Sequence, residues 1–158
     1  MAAKANIDPN QKSIAVNRRA RYEYELMDTL ECGIVLKGSE VKSLRQGKVS
    51  LEEAFAKLKD NELWLLNCDI ATYPQATLWN HEPRRDRKLL LHKRERDKFA
   101  AKASQSGMTL IPTSIYLVNG LIKVQIAIAK GKQLHDKREQ LKKDQAQREI
   151  RREMINRK

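Results

Sequence analysis

The dipeptide Asn119-Gly120 constrains the fold of this chain more than any other short stretch. Asn-Gly favours the two-residue turn between antiparallel strands, because both residues accept the positive φ angles that this turn requires. From residue 122 to residue 128, apolar Ile and Val alternate strictly with other residues, which is the period of a strand with one buried face. The sequence therefore predicts a β-hairpin late in the chain, and a single hairpin needs further strands to be stable.

Shorter strand patterns precede this hairpin. Residues 22–26 alternate Tyr and Leu with Glu and predict a half-buried strand, and residues 31–36 predict a second strand in which Gly33 marks a bulge or a close approach. The apolar run 63–66 predicts a buried strand after the turn-forming pair Asp60-Asn61. With two short helices added, the pattern predicts a mainly β chain, a small antiparallel OB-type barrel with flanking short helices.

The two helices have recognisable ends. Gly38-Ser39 offers an N-cap for a short helix that Gly47 ends, and residues 95–103 predict a second helix that Ser106-Gly107 ends.

Residues 50–58 fit two structures. Ser50 and Glu53 match a capping box, and the apolar residues that follow have helical spacing. A hairpin across Asp60-Asn61 would instead require this segment to be extended. Local propensity favours the helix, and both alternatives stay open at this point.

Positive charge is concentrated in two segments. Residues 84–102 contain nine Lys/Arg against three Asp/Glu, and residues 130–158 contain eleven against five. The rest of the chain sums to zero within a formal net charge of +12. Such placement is typical of a protein with a polyanionic partner, most simply a nucleic acid.

The second basic segment predicts a tail without a fold of its own. Acid-first pairs at four-residue spacing, such as Glu139–Lys143 and Asp144–Arg148, support a helix on its exposed surface. Its few apolar residues form no stripe, since Leu134 and Leu141 lie nearly opposite Ile150 and Met154 on a helical wheel. We expect this tail to be frayed or disordered when alone. A solvated tail without a specific partner is the alternative.

These patterns divide the chain into a flexible leader (1–12), a barrel (13–129) and a basic tail (130–158). No run approaches the length of about 20 apolar residues that a spanning helix needs, and the first residues lack the apolar core of a secretory signal. Cys32 and Cys68 have no CxxC partner and are expected to be reduced core residues. A cytoplasmic protein without a membrane partner is the expectation.

Sequence motifs for catalysis are absent. The chain contains no Gly-rich phosphate loop and no nucleophile motif, and His81, His92 and His135 lie in separate segments without ligand spacing. The histidines are interpreted as contact residues, and no cofactor or metal is expected. The missing motifs make catalysis less expected without excluding it.

Four runs occur in one order along the chain: Asn17-Arg-Arg-Ala-Arg21, Gly38-Ser-Glu-Val-Lys-Ser-Leu-Arg45, Arg87-Lys-Leu-Leu-Leu-His92 and Asp136-Lys-Arg138. Their combination and spacing resemble the bacterial SsrA-binding protein (small protein B) family, from about Ser13 into the tail. The resemblance implies an OB-type barrel that binds the tRNA-like part of transfer-messenger RNA (tmRNA) and delivers it to stalled ribosomes for trans-translation. It also implies a barrel that substitutes for the anticodon arm and a tail that becomes helical in the empty mRNA channel, beside the small-subunit decoding centre. Elongation factor Tu would be an indirect partner, through the charged tmRNA.

The resemblance also implies which residues act. Those matching the tmRNA-binding cluster of the barrel are Glu31, Leu90 and His92. The tail residues that match the ribosome-binding element are Gly131, Lys132, His135, Asp136, Lys137 and Arg138. Two further tail lysines, Lys142 and Lys143, are assigned to the same site.

The residue types are compatible with these roles. A carboxylate such as Glu31 can accept from base amino groups or hold a neighbouring arginine, and alternation turns Leu90 outward if Leu89 and Leu91 are core. Phosphate binding without base specificity is expected of two groups of cations. The first group is Arg84, Arg85, Arg87 and Lys88. The second group is Arg18, Arg19 and Arg21, and some of these three could pair with Glu23 or Glu25 instead.

Two other classes remain open. A general single-strand RNA-binding module would bind many RNAs with little preference, and an RNA-processing enzyme would convert its substrate.

Overall fold

The structure is a computed structural model that describes residues 11–104, 107–133, 141, 145–150, 152 and 154. Its elements in chain order are β1 (Gln11–Val16), α1 (Arg18–Glu23), β2 (Tyr24–Ile34), α2 (Gly38–Arg45), β3 (Val49–Ser50), β4 (Phe55–Lys59), β5 (Glu62–Leu66), β6 (Asp69–Ile70), β7 (Arg87–Leu90), α3 (Lys93–Ala103), β8 (Met108–Val118) and β9 (Leu121–Gly131). Residues 1–10 of the predicted leader lie outside the described residues. Its last two residues, 11 and 12, belong to β1.

The main sheet closes on itself. Its strand order is β1-β8-β4-β5-β7-β2-β9, and β8 also pairs with β9 along its full length. All pairings are antiparallel. β1 pairs with residues 114–118 of β8, and β4 pairs with β8 at Leu110. The predicted mainly β, OB-type barrel with short flanking helices is therefore confirmed.

The late hairpin forms as predicted. β8 and β9 meet at Asn119 and Gly120, whose φ angles of 50° and 82° give the left-handed pair that a two-residue hairpin turn requires. Val124 and Ile126 point into the barrel and are fully buried. The intervening side chains of β9 are thereby directed to the outer surface.

Residues 22–36 differ from the predicted pair of strands. Helix α1 takes residues 22 and 23, and β2 then runs as one strand to Ile34 with an irregularity between Leu26 and Thr29. The helix begins at Asn17, whose side-chain oxygen accepts from the Ala20 amide at 2.9 Å. The side-chain Nδ2 of Asn17 donates to the carbonyls of Leu51 and Pro112 at 2.8 and 3.1 Å, so a tertiary anchor decides the local structure.

Residues 55–59 are a strand, so the helical alternative for residues 50–58 is wrong. Asp60 and Asn61 adopt φ angles of 50° and 62° and turn β4 back onto β5. The cross-strand partners of β5 outweigh the local helical spacing. On β5, Leu63 and Leu65 are buried as predicted.

Both predicted helices are present with shifted starts. The N-cap of α2 is Lys37 rather than Gly38-Ser39, because the Glu40 carboxylate accepts from the Lys37 amide at 2.6 Å. Gly47 follows this helix with φ of 72°, as expected of a helix stop. Helix α3 begins at Lys93, two residues before the predicted start.

The barrel interior is apolar and contains both cysteines. Cys32 and Cys68 are free thiols with at most 1% exposure, which confirms the interpretation as reduced core residues. Around them pack fully buried residues of several strands and of α2, among them Leu44, Leu65 and Ile115. Within the described part of the chain, no helix is long and apolar enough to cross a membrane.

Candidate nucleic-acid interface

Glu31 lies on the outer face of β2 with two donors on its carboxylate. The Tyr116 hydroxyl of β8 donates to Oε2 at 2.5 Å, and the Lys123 ammonium of β9 donates to Oε1. These hydrogen bonds, first from Lys123 and then from Tyr116, lower the pKa of Glu31. The carboxylate is therefore an ion-paired acceptor that remains about half exposed, at 47%.

Leu90 lies beside this cluster because of Gly33. In the strand order β7-β2-β9, Gly33 pairs with Leu90 on one side and with Lys123 on the other. A Cβ placed at Gly33 would stand 3.3 Å from the Leu90 Cβ, so the close approach predicted for this glycine is present. Leu90 is 50% exposed while Leu89 is buried, which confirms the predicted outward orientation.

We call the outer surface formed by Glu31, Gly33, Leu90, Tyr116 and Lys123 the β2 face. It combines an apolar side chain, an ion pair and a glycine on three neighbouring strands with an aromatic hydroxyl from β8. His92 is exposed and stands two residues beyond Leu90, at the N-cap of α3. The structure thus places Glu31 and Leu90 on adjacent strands and His92 directly after β7.

Arg87 is a structural residue, and its predicted role in phosphate binding is wrong. Its side chain is fully buried, and Nε donates to the Glu40 carboxylate at 2.9 Å. Its other nitrogens donate to the carbonyls of Cys68, Pro83 and Arg85 at 2.6–3.1 Å. A guanidinium enclosed in this way cannot reach a phosphate outside the protein.

The buried partner Glu40 is ionised. Burial alone would raise its pKa, but hydrogen bonds from Arg85 and from the Lys37 amide, with the charges of Arg87 and Arg85, lower it overall. Arg85 donates to the same carboxylate at 2.6 and 2.8 Å. Two arginines of the basic segment therefore neutralise one acid beneath the surface.

The other two predicted cations of this segment are also paired. Arg84 contacts Glu53 at 3.1 Å and Asp69 at 3.2 Å, and Lys88 pairs with Glu62. All of these side chains remain more than a third exposed, so an RNA phosphate could still compete for the cations. Because the protein's own acids already pair with these cations, the number of Lys and Arg in this segment overstates the positive charge that a partner can reach.

His81 is likewise a structural residue rather than a contact residue. It is 3% exposed, and its Nε2 lies 2.9 Å from the Ile70 carbonyl. Since a carbonyl can only accept, Nε2 carries a proton, and Nδ1 is hydrogen-bonded to the Ser39 hydroxyl at 2.9 Å. This histidine ties the connection after β6 to α2.

The arginines of α1 remain at the surface. Arg18, Arg19 and Arg21 are exposed, and Arg19 pairs with Glu23 at 2.8 Å, one of the pairings that the sequence left open. The fold places them near the start of the tail, because the Lys132 amide donates to the Glu23 carbonyl and the Lys132 ammonium to the Arg21 carbonyl, both at 3.0 Å.

The tail begins later than predicted. Gly131 is the last residue of β9 and pairs with Tyr24, so the barrel extends past residue 129. The remaining tail residues with a predicted role lie outside the described residues: His135, Asp136, Lys137, Arg138, Lys142 and Lys143.

The described part of the tail is helical. That the tail is disordered when alone stays a prediction. Residues 141, 145–150, 152 and 154 have helical backbone. Good helix formers and acid-first pairs at four-residue spacing supply local support. Leu141, Ile150 and Met154 are all exposed, as expected of a helix without an apolar stripe.

Sequence reasoning missed three residues around Glu31. Tyr116 and Lys123 hold its carboxylate, and Gln125 is its direct neighbour on β9. The alternation of β9 puts Lys123 and Gln125 on the outer face, a signal already present in the sequence. Which strand they face depends on the register of β2 with β9, and the sequence does not reveal that register.

Comparisons with known proteins agree on one family. The family model described as SmpB protein matches residues 14–156. An SsrA-binding protein of Rhodopirellula baltica is 51% identical over 92% of this chain and 84% of that protein, and one of Mycolicibacterium smegmatis is 50% identical over 96% and 94%. A solved structure from "tmRNA-SmpB: a journey to the center of the bacterial ribosome" is 49% identical to this chain, with a TM-score of 0.66. The match covers 76% of this chain and 85% of the chain in that structure.

Proposed function

The chain belongs to the SmpB protein family, and we propose that it binds the tRNA-like domain of tmRNA and delivers it to stalled ribosomes for trans-translation. The protein acts by binding and positioning RNA and is not an enzyme. Its partners are tmRNA, the ribosome and, indirectly through charged tmRNA, elongation factor Tu. Its place of action is the cytoplasm.

The observation that carries the tmRNA-binding role is the β2 face. Leu90 presents an exposed apolar surface on which an unstacked base can lie. Beside it, the ion pair of Glu31 with Lys123 holds polar groups at fixed positions on the same surface. Folded RNA with unpaired bases is the partner that such a mixed surface fits, and the relatives named after SsrA RNA point to the same partner.

The tail has a different role in this proposal. On a helical wheel drawn from the sequence, its cations are spread over all sides. The apolar residues in its described part are exposed, so the barrel buries no face of that part. A rod that is cationic on all sides suits a channel walled by phosphates. We assign the tail to the empty mRNA channel and the decoding centre, while the barrel substitutes for the anticodon arm.

The tmRNA-binding role is tested by competition. Labelled tRNA-like domain of tmRNA is titrated with the protein at fixed salt, with and without a large excess of bulk tRNA. Retained binding in the presence of the competitor supports the proposal, and complete loss indicates a general RNA-binding module. Glu31→Arg should weaken binding by ~1–3 kcal/mol, because it removes the ion pair that holds Lys123 and places a second positive charge beside it.

A further inference from the structure

The geometry points to Lys123 as a phosphate-binding residue of the RNA site and to Glu31 as the residue that positions it. The inference rests on the proposed function, because it concerns how the β2 face binds RNA.

The two donors around Glu31 differ in how many hydrogen bonds they can still donate. Tyr116 has one O–H group, and it donates to the Glu31 carboxylate. The Lys123 ammonium has three N–H groups, of which the carboxylate engages one. Tyr116 is 4% exposed, whereas the Lys123 side chain is 33% exposed. Lys123 is therefore the member of this cluster that can still donate to a ligand.

On the sheet, only Gly33 separates Lys123 from Leu90. Lys123 and Leu90 are the two cross-strand partners of Gly33, so their backbones stand about 10 Å apart across a residue with no side chain. The Leu90 side chain extends over Gly33, since its Cδ1 lies 3.8 Å from the position that a Cβ of residue 33 would take. One nucleotide unit can therefore place its base against Leu90 and its phosphate against Lys123.

Glu31 orients Lys123 through a carboxylate whose acceptors are already engaged. Each of its carboxylate oxygens already accepts a hydrogen bond, and both donors belong to the protein. A free lysine side chain loses considerable rotamer entropy when a ligand immobilises it. The ion pair holds the Lys123 side chain over the β2 face before RNA arrives, which lowers that cost.

The test measures the salt dependence of RNA affinity in the full-length protein. Lys123→Met removes the charge and keeps most of the side-chain length, Lys123→Arg keeps the charge, and Lys102→Met is the matched control, an exposed lysine paired with Asp28. The probe is the tRNA-like domain of tmRNA, titrated at several potassium chloride concentrations. Thermal unfolding of each variant verifies that the barrel is intact.

We expect Lys123→Met to weaken binding about tenfold at low salt and to lower the slope of log affinity against log salt by about 0.7–0.9, the loss of one phosphate contact. Lys123→Arg should retain the wild-type slope, and Lys102→Met should change neither quantity. Wild-type affinity and slope in Lys123→Met would overturn the assignment of Lys123.

A double substitution decides the role of Glu31. If Glu31 acts through Lys123, Glu31→Gln weakens binding in the wild-type background and adds nothing in the Lys123→Met background. An equal loss in both backgrounds would mean that Glu31 contacts RNA itself, which overturns its positioning role. If the wild-type protein bound bulk tRNA equally well, the proposed function would fail, while the salt slopes would still decide the role of Lys123.

Discussion

The Nε atom of Arg87 lies 2.9 Å from the Oε1 atom of Glu40, and neither side chain is exposed to solvent. This ion pair joins the first residue of β7 to α2 inside the protein. It explains why Arg87, in the middle of a basic run, serves the fold and not a ligand.

Breaking this pair should destabilise the protein strongly. Glu40→Gln leaves the Arg87 guanidinium buried without a counter-charge, so we expect a loss of ~3–5 kcal/mol in the free energy of unfolding. Denaturant titration followed by circular dichroism measures it. The matched control is Arg84→Ala, which removes exposed pairs and should leave the unfolding midpoint nearly unchanged. Equal effects of the two substitutions would contradict the structural role of Glu40.

Gly33 should tolerate no branched side chain. A Cβ at this position already meets the Leu90 Cβ at 3.3 Å, so Gly33→Val overpacks the β2 face and should cost about 1–3 kcal/mol of stability. It should also weaken RNA binding, because Leu90 must move. Gly38→Ala is the control, since the space around Gly38 is open and alanine favours the helix. Thermal unfolding and RNA titration of both variants would show no difference if the contact with Leu90 were unimportant.

The two thiols should be inert in the native protein. Burial raises the pKa of Cys32 to about 12 and that of Cys68 to about 11, so almost no thiolate is present at pH 8. An aromatic disulfide reagent should therefore react slowly with the folded protein and rapidly with two thiols per chain in denaturant. Rapid reaction of either thiol under native conditions would show that the barrel interior is accessible.

The Glu31 ion pair should make stability depend on acid pH. Because Lys123 and Tyr116 lower the folded-state pKa of Glu31, its contribution is complete above the unfolded value of 4.5 and is lost as pH falls through the lower folded value. The unfolding free energies of wild type and Glu31→Gln should therefore differ at pH 7 and converge below about pH 4.5. A difference that stays constant down to pH 3 would contradict this pairing.

Local sequence predicted the features that depend on neighbouring residues alone. The Asn119-Gly120 hairpin, the outward orientation of Leu90 and the close approach at Gly33 follow from turn chemistry, from alternation and from the size of glycine. Two failures have a common physical cause: tertiary contacts fix the helix at Asn17 and the strand at residues 55–59. The buried role of Arg87 and the pairing of Lys123 with Glu31 depend on residues far apart in the chain, so local sequence does not reveal them.

The central claim is that the barrel binds tmRNA and the tail acts separately on the ribosome. The most direct measurement compares the full-length protein with a chain that ends at Gln133, just after the residues that anchor β9 to α1. The account predicts that both bind the tRNA-like domain of tmRNA with similar affinity and that the shortened protein no longer supports tagging on stalled ribosomes. Loss of tmRNA binding on truncation, or tagging at the normal rate without the tail, would contradict it.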